Sequence, residues 1–526
     1  MKALSSGRHG LALVLMLMAA FALSATPRAE MISIEQNAGT AGLTIQTQEQ
    51  TGIELRYEMA QFSIEDFDIH GQTLQKIGLP GCFLPGAAGA PDLPGFGRYL
   101  AIPAGAEVSV TVLGAETHVY SDLDVMPAAA IQFENDDSPP TYEKDPAIYG
   151  TRARYPAMPV KVSEPITMRG VEAVTLGITP FQYNPVTREL TVYTAIDIRV
   201  DFAGGGQWAD ERLRNRYWES MLKDQLLNYD MLPAADFFSE PPTDNRTGCE
   251  YVILTAENAT CLAWADSIRT WRQAEGISTE IFTTAQTGTS AYQIDQWLAN
   301  AYNTWDVPPV AFLILGDYPS SGDFGGEEGG EGTRDETLPG VYSQIYAGYC
   351  VADNIYADAT NDHLPDMAHG RICAKTDVQM QDMIEKMFSY ERQPVMNPGY
   401  YDHPLIAGGW QTERWFILCS EIIYGHQANA LGKDPVREYA IYSGSPGYTW
   451  STAPNTGTVV GYFGPSGLGY IPSQPTHLTD WGGNYVGINN AINDGAYFVM
   501  HRDHGLEIGW GEPAYNSGNV NMLTNA

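Results

Sequence analysis

The run Gly495-Ala496-Tyr497-Phe498-Val499-Met500-His501-Arg502-Asp503-His504-Gly505 ends an apolar stretch on a histidine and a glycine. At the carboxyl end of a strand in an open α/β sheet, such a pair stands where ligands and catalytic groups collect. An imidazole there can serve as general base and acid, and a glycine after it lets its backbone N–H come close to a developing oxyanion. His504 is therefore the candidate base and Gly505 the candidate oxyanion-hole donor. Strand parity sets His501 on the face opposite His504, so a His-x-x-His metal pair is not expected, and it turns Asp503 away from His504.

The elements that must deliver this pair follow from hydrophobic periodicity. Residues 249–526 read as alternating β and α: a strand at Tyr251 to Thr255, a helix from about Thr260 with Cys261, Ala265, Ile268 and Trp271 on one face, and a strand at Ile277 to Thr283. A second helix carries Ile294, Trp297, Leu298, Ala301 and Tyr302 at i, i+3, i+4, i+7, i+8, and Val310 to Leu315 is an apolar run of parallel-strand type. A third helix opens with Thr376 and Gln379 at capping-box spacing and buries Met380, Met383, Ile384 and Met387. Strands at Leu405 to Ala407, Glu438 to Tyr442 and Ala496 to Met500 extend the sheet to the end of the chain. This is α/β architecture.

Upstream, residues 30–203 have β texture. Leu190, Val192, Ile196, Ile198, Val200 and Phe202 keep one parity, as in a strand with one buried face, and Pro-rich loops join the strands. A β-sandwich is expected. Residues 204–248, from Gly204-Gly205-Gly206 through Arg212, Arg214, Arg216 and Pro241-Pro242, read as a linker and activation region where arginines invite proteolytic nicking, with a plain surface helix from Trp208 to Leu227 as the alternative. Residues 1–29 have signal-peptide order: Lys2 and Arg8, an apolar run from Leu11 to Leu23, then small residues. That run is shorter than the roughly 20 residues of a spanning helix, so export with no membrane span after signal removal is expected.

Acidic residues outnumber basic ones, 63 to 29, for a formal charge of -34, which repels polyphosphate and anionic lipid surfaces and argues against nucleic-acid or membrane-surface partners. The six cysteines contain no CxxC pair, so neither a zinc knuckle nor a disulfide-dense scaffold is implied. A single bridge, Cys249 with Cys261, is one pairing that the spacing allows. The carboxylates Asp353, Asp358, Asp362 and Asp366, with Asp317, Asn354 and Asn361, are oxygen ligands of the kind calcium takes, although their spacing is not that of an EF-hand loop.

Several segments resemble, in order, the gingipain family of caspase-like cysteine peptidases. Tyr497 to Asn525 resembles the stretch around that family's catalytic histidine. Leu313-Ile314-Leu315-Gly316-Asp317, Asp353-Asn354-Ile355-Tyr356, Gly370-Arg371-Ile372 and Tyr390-Glu391-Arg392 resemble motifs of the same domain, while Gly89 to Pro103 and Tyr120 to Pro127 resemble its propeptide. The resemblance implies an inhibitory β-sandwich prodomain followed by an α/β caspase-like domain, incomplete at its C-terminus. It implies a secreted or cell-surface cysteine endopeptidase zymogen acting on protein or peptide substrates, with its own prodomain as inhibitor.

By the same resemblance His504 would be the partner of a nucleophilic cysteine and Gly505 part of the oxyanion hole. No cysteine follows His504, so the chain reads as a fragment that lacks its nucleophile and is itself inactive. Asp503 stands where the family has glycine, and Trp410 where its third carboxylate is expected. Glu413 is the nearest carboxylate that would orient the imidazole. Arg152 or Arg154 would mimic a substrate side chain in the pocket. No cofactor is needed for the chemistry; the family's structural calcium makes Asp353 and Asp358 candidate ligands. The alternative is a non-catalytic relative that binds or adheres.

Overall fold

The computed structural model describes residues 30–37, 41–69, 71–82, 86–130, 141–235, 237, 246–317, 340–346, 350–453, 456–465, 467–506 and 508–525. The expected signal segment, 1–29, lies outside the described residues. Among the described residues no helix is long and apolar enough to cross a membrane.

The first unit is antiparallel β. Its longest strand, Glu189–Ala203, pairs along most of its length with Glu107–Tyr120 and on its other edge with Gly52–Glu58 and Phe181–Asn184. Leu190, Val192, Ile196, Ile198, Val200 and Phe202 are all buried, as the parity predicts, and Thr194 completes the stripe. They share one core with Val171–Ile178 and with Phe62 and Ile77 from two further antiparallel sheets, so the layers bury their apolar faces against each other.

The described part of the expected linker, residues 204–235, 237 and 246–248, is instead folded, while Pro241-Pro242 lies outside the described residues. Trp208, Leu222, Leu226 and Leu232 join the core of the β unit, while Leu213 packs into the core of the α/β unit. The arginines that suggested an exposed cleavage site are tied down. Arg212 donates to the carbonyls of Tyr302 and Trp305, Arg214 is buried against Glu219 and Pro233, and Arg216 donates to Gly276. Polar composition here reflects a strap between two folded units, because each guanidinium satisfies helix-end or loop carbonyls.

The α/β region forms two parallel sheets, not the one continuous sheet that the sequence suggests. The first runs β2-β1-β3-β4, with β1 Tyr251–Thr255, β2 Thr279–Thr283, β3 Ala311–Leu315 and β4 Ala368–Ile372. Helices Ala259–Ala274, Ala291–Thr304 and Asp377–Arg392 cover it, burying Cys261, Ala265 and Ile268, then Ile294, Leu298, Ala301 and Tyr302, then Met380, Ile384 and Phe388. Met383, expected in that last stripe, is 38% exposed, and Phe388 takes the buried position one turn on. β4 is an edge strand; the chain then leaves this sheet through Asp377–Arg392 and starts a second.

The second sheet has the order β6-β5-β7, all parallel: β5 Leu405–Gln411 in the centre, β6 Val436–Ser443 and β7 Val499–Arg502 on its flanks. Every residue of β5 is buried. Helix α1, Phe416–Gly425, packs on β5 and carries the buried Phe416, Ile417 and Leu418.

The β unit reaches both sheets. Arg169, held at φ +46° in the turn before Val171–Ile178, is 1% exposed and crosses into the first sheet's unit. Its guanidinium donates to the carbonyls of Leu213, Pro309 and Asp366 and lies over the rings of Trp218 and Tyr302. On the second sheet's side, a helix α2, Thr456–Phe463, faces the β unit so closely that a Cβ on Gly457 would stand 3.0 Å from Glu65 Oε2. Arg152 and Arg154 are exposed instead, and neither guanidinium bonds the α/β region among the described residues.

Arg169→Met keeps most of the aliphatic volume but strands three carbonyls. We expect a loss of about 2–3 kcal/mol in chemical denaturation, the scale of charged hydrogen bonds removed from a buried site. A variant as stable as the parent would show that Arg169 does not tie the units together.

Candidate active site

The register Gly408↔Arg502 aligns β5 with β7, and Gln411↔Ser443 aligns it with β6, so all three strands end at one edge. His504 follows the end of β7 by two residues. It is there, as the sequence predicts, and three side chains from neighbouring elements meet its ring. Gln411, the last residue of β5, sets Oε1 2.9 Å from His504 Nε2. Phe416, opening α1, presents an edge at a centroid distance of 5.3 Å, and Tyr442 of β6 stands at 4.7 Å. Arg502 lies over the same Phe416 ring, 4.9 Å from its centroid.

Glu413 does not touch the imidazole. It accepts Gln411 Nε2 at 2.8 Å, so the carboxylate expected beside His504 stands one amide away. Trp410, at the position where a carboxylate was sought, is inside the strand and 2% exposed, with its indole N–H on Thr412 Oγ1. The strand runs four residues beyond the expected Ala407, which brings Gln411, not Trp410, to the edge. Gln411 gave no signal in the sequence, since a glutamine is chemically mute until its partners are known; the only available clue was its place at the end of an apolar run.

Beyond His504 the chain folds into a short hairpin, Gly505–Leu506 with Gly509–Trp510. Its base is closed twice. Gly511 N–H donates to His504 O at 2.7 Å, and Glu512 N–H donates to Asp503 Oδ2 at 2.6 Å. Asp503 thus leaves strand geometry and folds its carboxyl against β5, where a Cβ on Gly409 would stand 2.3 Å from Oδ2. Only glycine fits at 409. Burial pushes the Asp503 carboxyl up from its ordinary range despite the amides of His504 and Glu512, and Oδ1 is buried without a partner.

Gly505 is exposed, and a side chain there would meet nothing nearer than Gly509 O at 3.9 Å. Packing therefore does not demand glycine; what its absence of a side chain leaves is open space over the backbone. His501 is turned elsewhere: its ring stacks on Trp510 at 4.3 Å and its Nε2 bonds Glu512 O, while burial lowers its basicity.

Among the described residues no thiol is in contact with His504. Cys249 and Cys261 are free and buried, so the bridge between them is not formed. Burial pushes the Cys249 thiol up to about 12 and the Cys82 thiol up to about 11. It also raises Cys261, Cys419 and the exposed Cys373. A nucleophilic cysteine needs the opposite shift. The side chain of Cys350 lies outside the described residues.

The acidic loop is engaged by its own protein. Asp353 is held by the fork of Arg371 at 2.7 and 2.9 Å and by Ser343; burial pushes its carboxyl up, but Arg371 outweighs this and keeps it below the usual range. Arg371 also donates to Gly316 O and Val341 O, so the Gly316-Asp317, Asp353 and Gly370-Arg371 segments converge on one guanidinium. Asp358 accepts the amides of Asp362 and His363, and Asp362 accepts Thr167 N–H from the β unit. Among the described residues no group of three or more His, Cys, Asp or Glu is arranged to hold a metal ion.

Residues 244–526 match the family model of peptidase family C25, and residues 37–231 match that of its propeptide. Lys-gingipain of Porphyromonas gingivalis is 24% identical over 535 residues, covering 97% of this chain and 27% of that protein. A gingipain R2 of the same organism is 21% identical over 455 residues, covering 83% of this chain and 52% of its own length. The chain thus spans about a quarter to a half of these relatives. Among solved structures, a study of zymogenic latency in gingipain K from that organism aligns at TM-score 0.30 and 26% identity, covering 34% of this chain and all of that one. The Arg-specific cysteine proteinase gingipain R aligns at TM-score 0.37 and 17% identity, covering 55% and 54%.

Asp366 supplies a pH test of the acidic loop. Burial pushes its carboxyl up to about 6, against the Thr360 amide and the Tyr302 hydroxyl that favour ionisation. A folded-state value above the unfolded one makes the protonated form the stabilising one, fully so below about pH 4 and lost as pH rises through 6. Asp366→Asn should therefore match the parent near pH 4 and exceed it by on the order of 1–2 kcal/mol at pH 7. An Asn variant less stable at pH 7 than at pH 4, relative to the parent, would contradict the assignment.

Proposed function

The chain belongs to peptidase family C25 and carries that family's propeptide, and from this premise we propose that it is the front part of a secreted or cell-surface cysteine endopeptidase zymogen. The observation that carries the reading is His504 with Gly505 at the carboxyl edge of the β6-β5-β7 sheet, the imidazole held by Gln411 and walled by Phe416 and Tyr442. The thiol would be supplied by residues beyond Ala526 in the complete reading frame.

In the proposed reaction the thiol's proton passes to His504 and the sulfur attacks the scissile carbonyl carbon. The carbonyl oxygen takes the electron pair and is met by the N–H of Gly505. The C–N bond then breaks as His504 returns the proton to the departing amine. Water, giving a proton to the same imidazole, attacks the thioester; the acid leaves and the thiol is restored. The β unit would act as inhibitor. It abuts α2 at Gly457, and Thr456 of that helix accepts the indole N–H of Trp415, the residue before Phe416. Dislodging the β unit would therefore be felt two contacts from His504. Structural calcium, with Asp353 and Asp358 as ligands, would compete with the Arg371 guanidinium for Asp353, while Asp358 has acceptor capacity left beside the two amides it holds.

A second reading, a non-catalytic relative that binds peptide or partner, is favoured by two features: the buried carboxyl of Asp503 beside the histidine and an amide in direct contact with the imidazole in place of a carboxylate. The complete reading frame separates the two. With propeptide removed, a thiol-directed peptidyl inhibitor should label one cysteine downstream of Ala526, and His504→Ala should slow labelling by at least about 100-fold. A frame with no such cysteine, or a product that never labels, would establish the binding protein instead.

A further inference from the structure

The two nitrogens of an imidazole have different duties, and their neighbours decide which one holds the proton. Gln411 is 4% exposed, so its amide cannot exchange partners freely with bulk water. Its Nε2 donates to Glu413 Oε1 at 2.8 Å. A carboxylate accepts and does not donate, so the NH2 end of the amide is held toward Glu413. That turns Oε1 toward His504 Nε2, 2.9 Å away. An amide oxygen also only accepts, which leaves Nε2 as the donor and Nδ1 as the nitrogen with the lone pair.

We infer that Glu413 and Gln411 form a relay that fixes His504 as the Nε2–H tautomer and reserves Nδ1 for proton exchange at the reacting centre. The duty of Nδ1 rests on the peptidase reading; the tautomer does not. Both residues are positioning residues, since Gln411 touches only the imidazole's far nitrogen and Glu413 acts through Gln411. The rings of Phe416 and Tyr442 hold the imidazole plane. Turning the ring over would put Cε1 in place of Nε2 against Gln411 and forfeit the hydrogen bond.

The relay differs physically from a carboxylate set directly on the histidine. A neutral oxygen fixes the tautomer without bringing a full negative charge to the ring, and the charge of Glu413, an exposed residue, arrives at one remove and is screened. Glu413 therefore acts chiefly by fixing the amide's orientation. Without it, the Gln411 amide could rotate and offer a donor to Nε2, which would favour the opposite tautomer.

The test uses the 526-residue chain with 15N-labelled histidine, the His504 signals being assigned by their loss in His504→Gln. The parent should give a one-bond Nε2–H correlation in slow exchange with water, with Nδ1 showing the shift of a bare nitrogen. In Gln411→Ala the Nε2–H should exchange about tenfold faster or vanish, the scale of one buried hydrogen bond lost. Gln411→Glu, which keeps an acceptor, should retain it, and Glu413→Gln should yield a mixture of tautomers. His501, stacked on Trp510, reports whether each variant is folded. A parent with Nδ1–H, or an Nε2–H indifferent to Gln411→Ala, overturns the relay; an Nε2–H indifferent to Glu413→Gln overturns the part given to Glu413. None of these signals requires turnover, so they stand apart from the thiol labelling that tests the peptidase reading.

Discussion

Backbone hydrogen bonding between Leu405–Gln411 and its two parallel neighbours decides where every side chain of the site can be. The strands carry no chemistry of their own. Their register sends Gln411, Tyr442 and the start of the His504 loop to one edge, and a slip of one residue would turn each to the opposite face. Parallel strands buried on both faces resist such a slip. All seven residues of the central strand are buried, and Phe416, Ile417 and Leu418 of the following helix lie over them.

The hairpin after the strand depends on that frame. Asp503 can fold its carboxyl back only because Gly409 leaves the strand bare beneath it, and Glu512 and Gly511 then close the loop that presents His504 and Gly505. A buried carboxyl without a partner for one oxygen is a cost that ordinary packing avoids. Its place beside the imidazole fits the expectation that such departures gather at functional sites. The β unit and the strap after it form a second layer of constraint. Arg169 bonds carbonyls beside one sheet and Glu65 stands against the helix that accompanies the other, so the β unit is a common neighbour of both.

Much of this was legible in the residues. The even-numbered stripe from Leu190 to Phe202 declared a half-buried strand, and Ile294, Leu298, Ala301 and Tyr302 declared a helix face, because one buried surface per element imposes a period that side chains cannot hide. His504 and Gly505 became candidates because an apolar run ends on them within a stretch that resembles the gingipains' histidine segment. What escaped notice depends on partners distant in sequence. Gln411 lies 93 positions from His504, and nothing in an amide announces what it will face. Arg169 sits in a left-handed turn, and its three carbonyl partners come from three separate segments. The arginines of the strap looked like exposed linker since polar composition does not distinguish a solvated guanidinium from one that satisfies buried carbonyls. The division into two sheets was missed because the α/β alternation continues across it unbroken.

On the proposed reading, peptide hydrolysis would be carried out at the carboxyl edge of the second sheet, with His504 and Gly505 on either side of the reacting carbonyl. The most direct measurement is a crystal structure of the complete reading frame, propeptide removed, bound covalently to a peptidyl thiol-directed inhibitor. The expected result is continuous density from a cysteine beyond Ala526 to the inhibitor, with its carbonyl oxygen on the Gly505 N–H, Nδ1 of His504 toward the sulfur and Nε2 still on Gln411. An inhibitor bound at another edge, or an imidazole turned with Nε2 toward the sulfur, would contradict it.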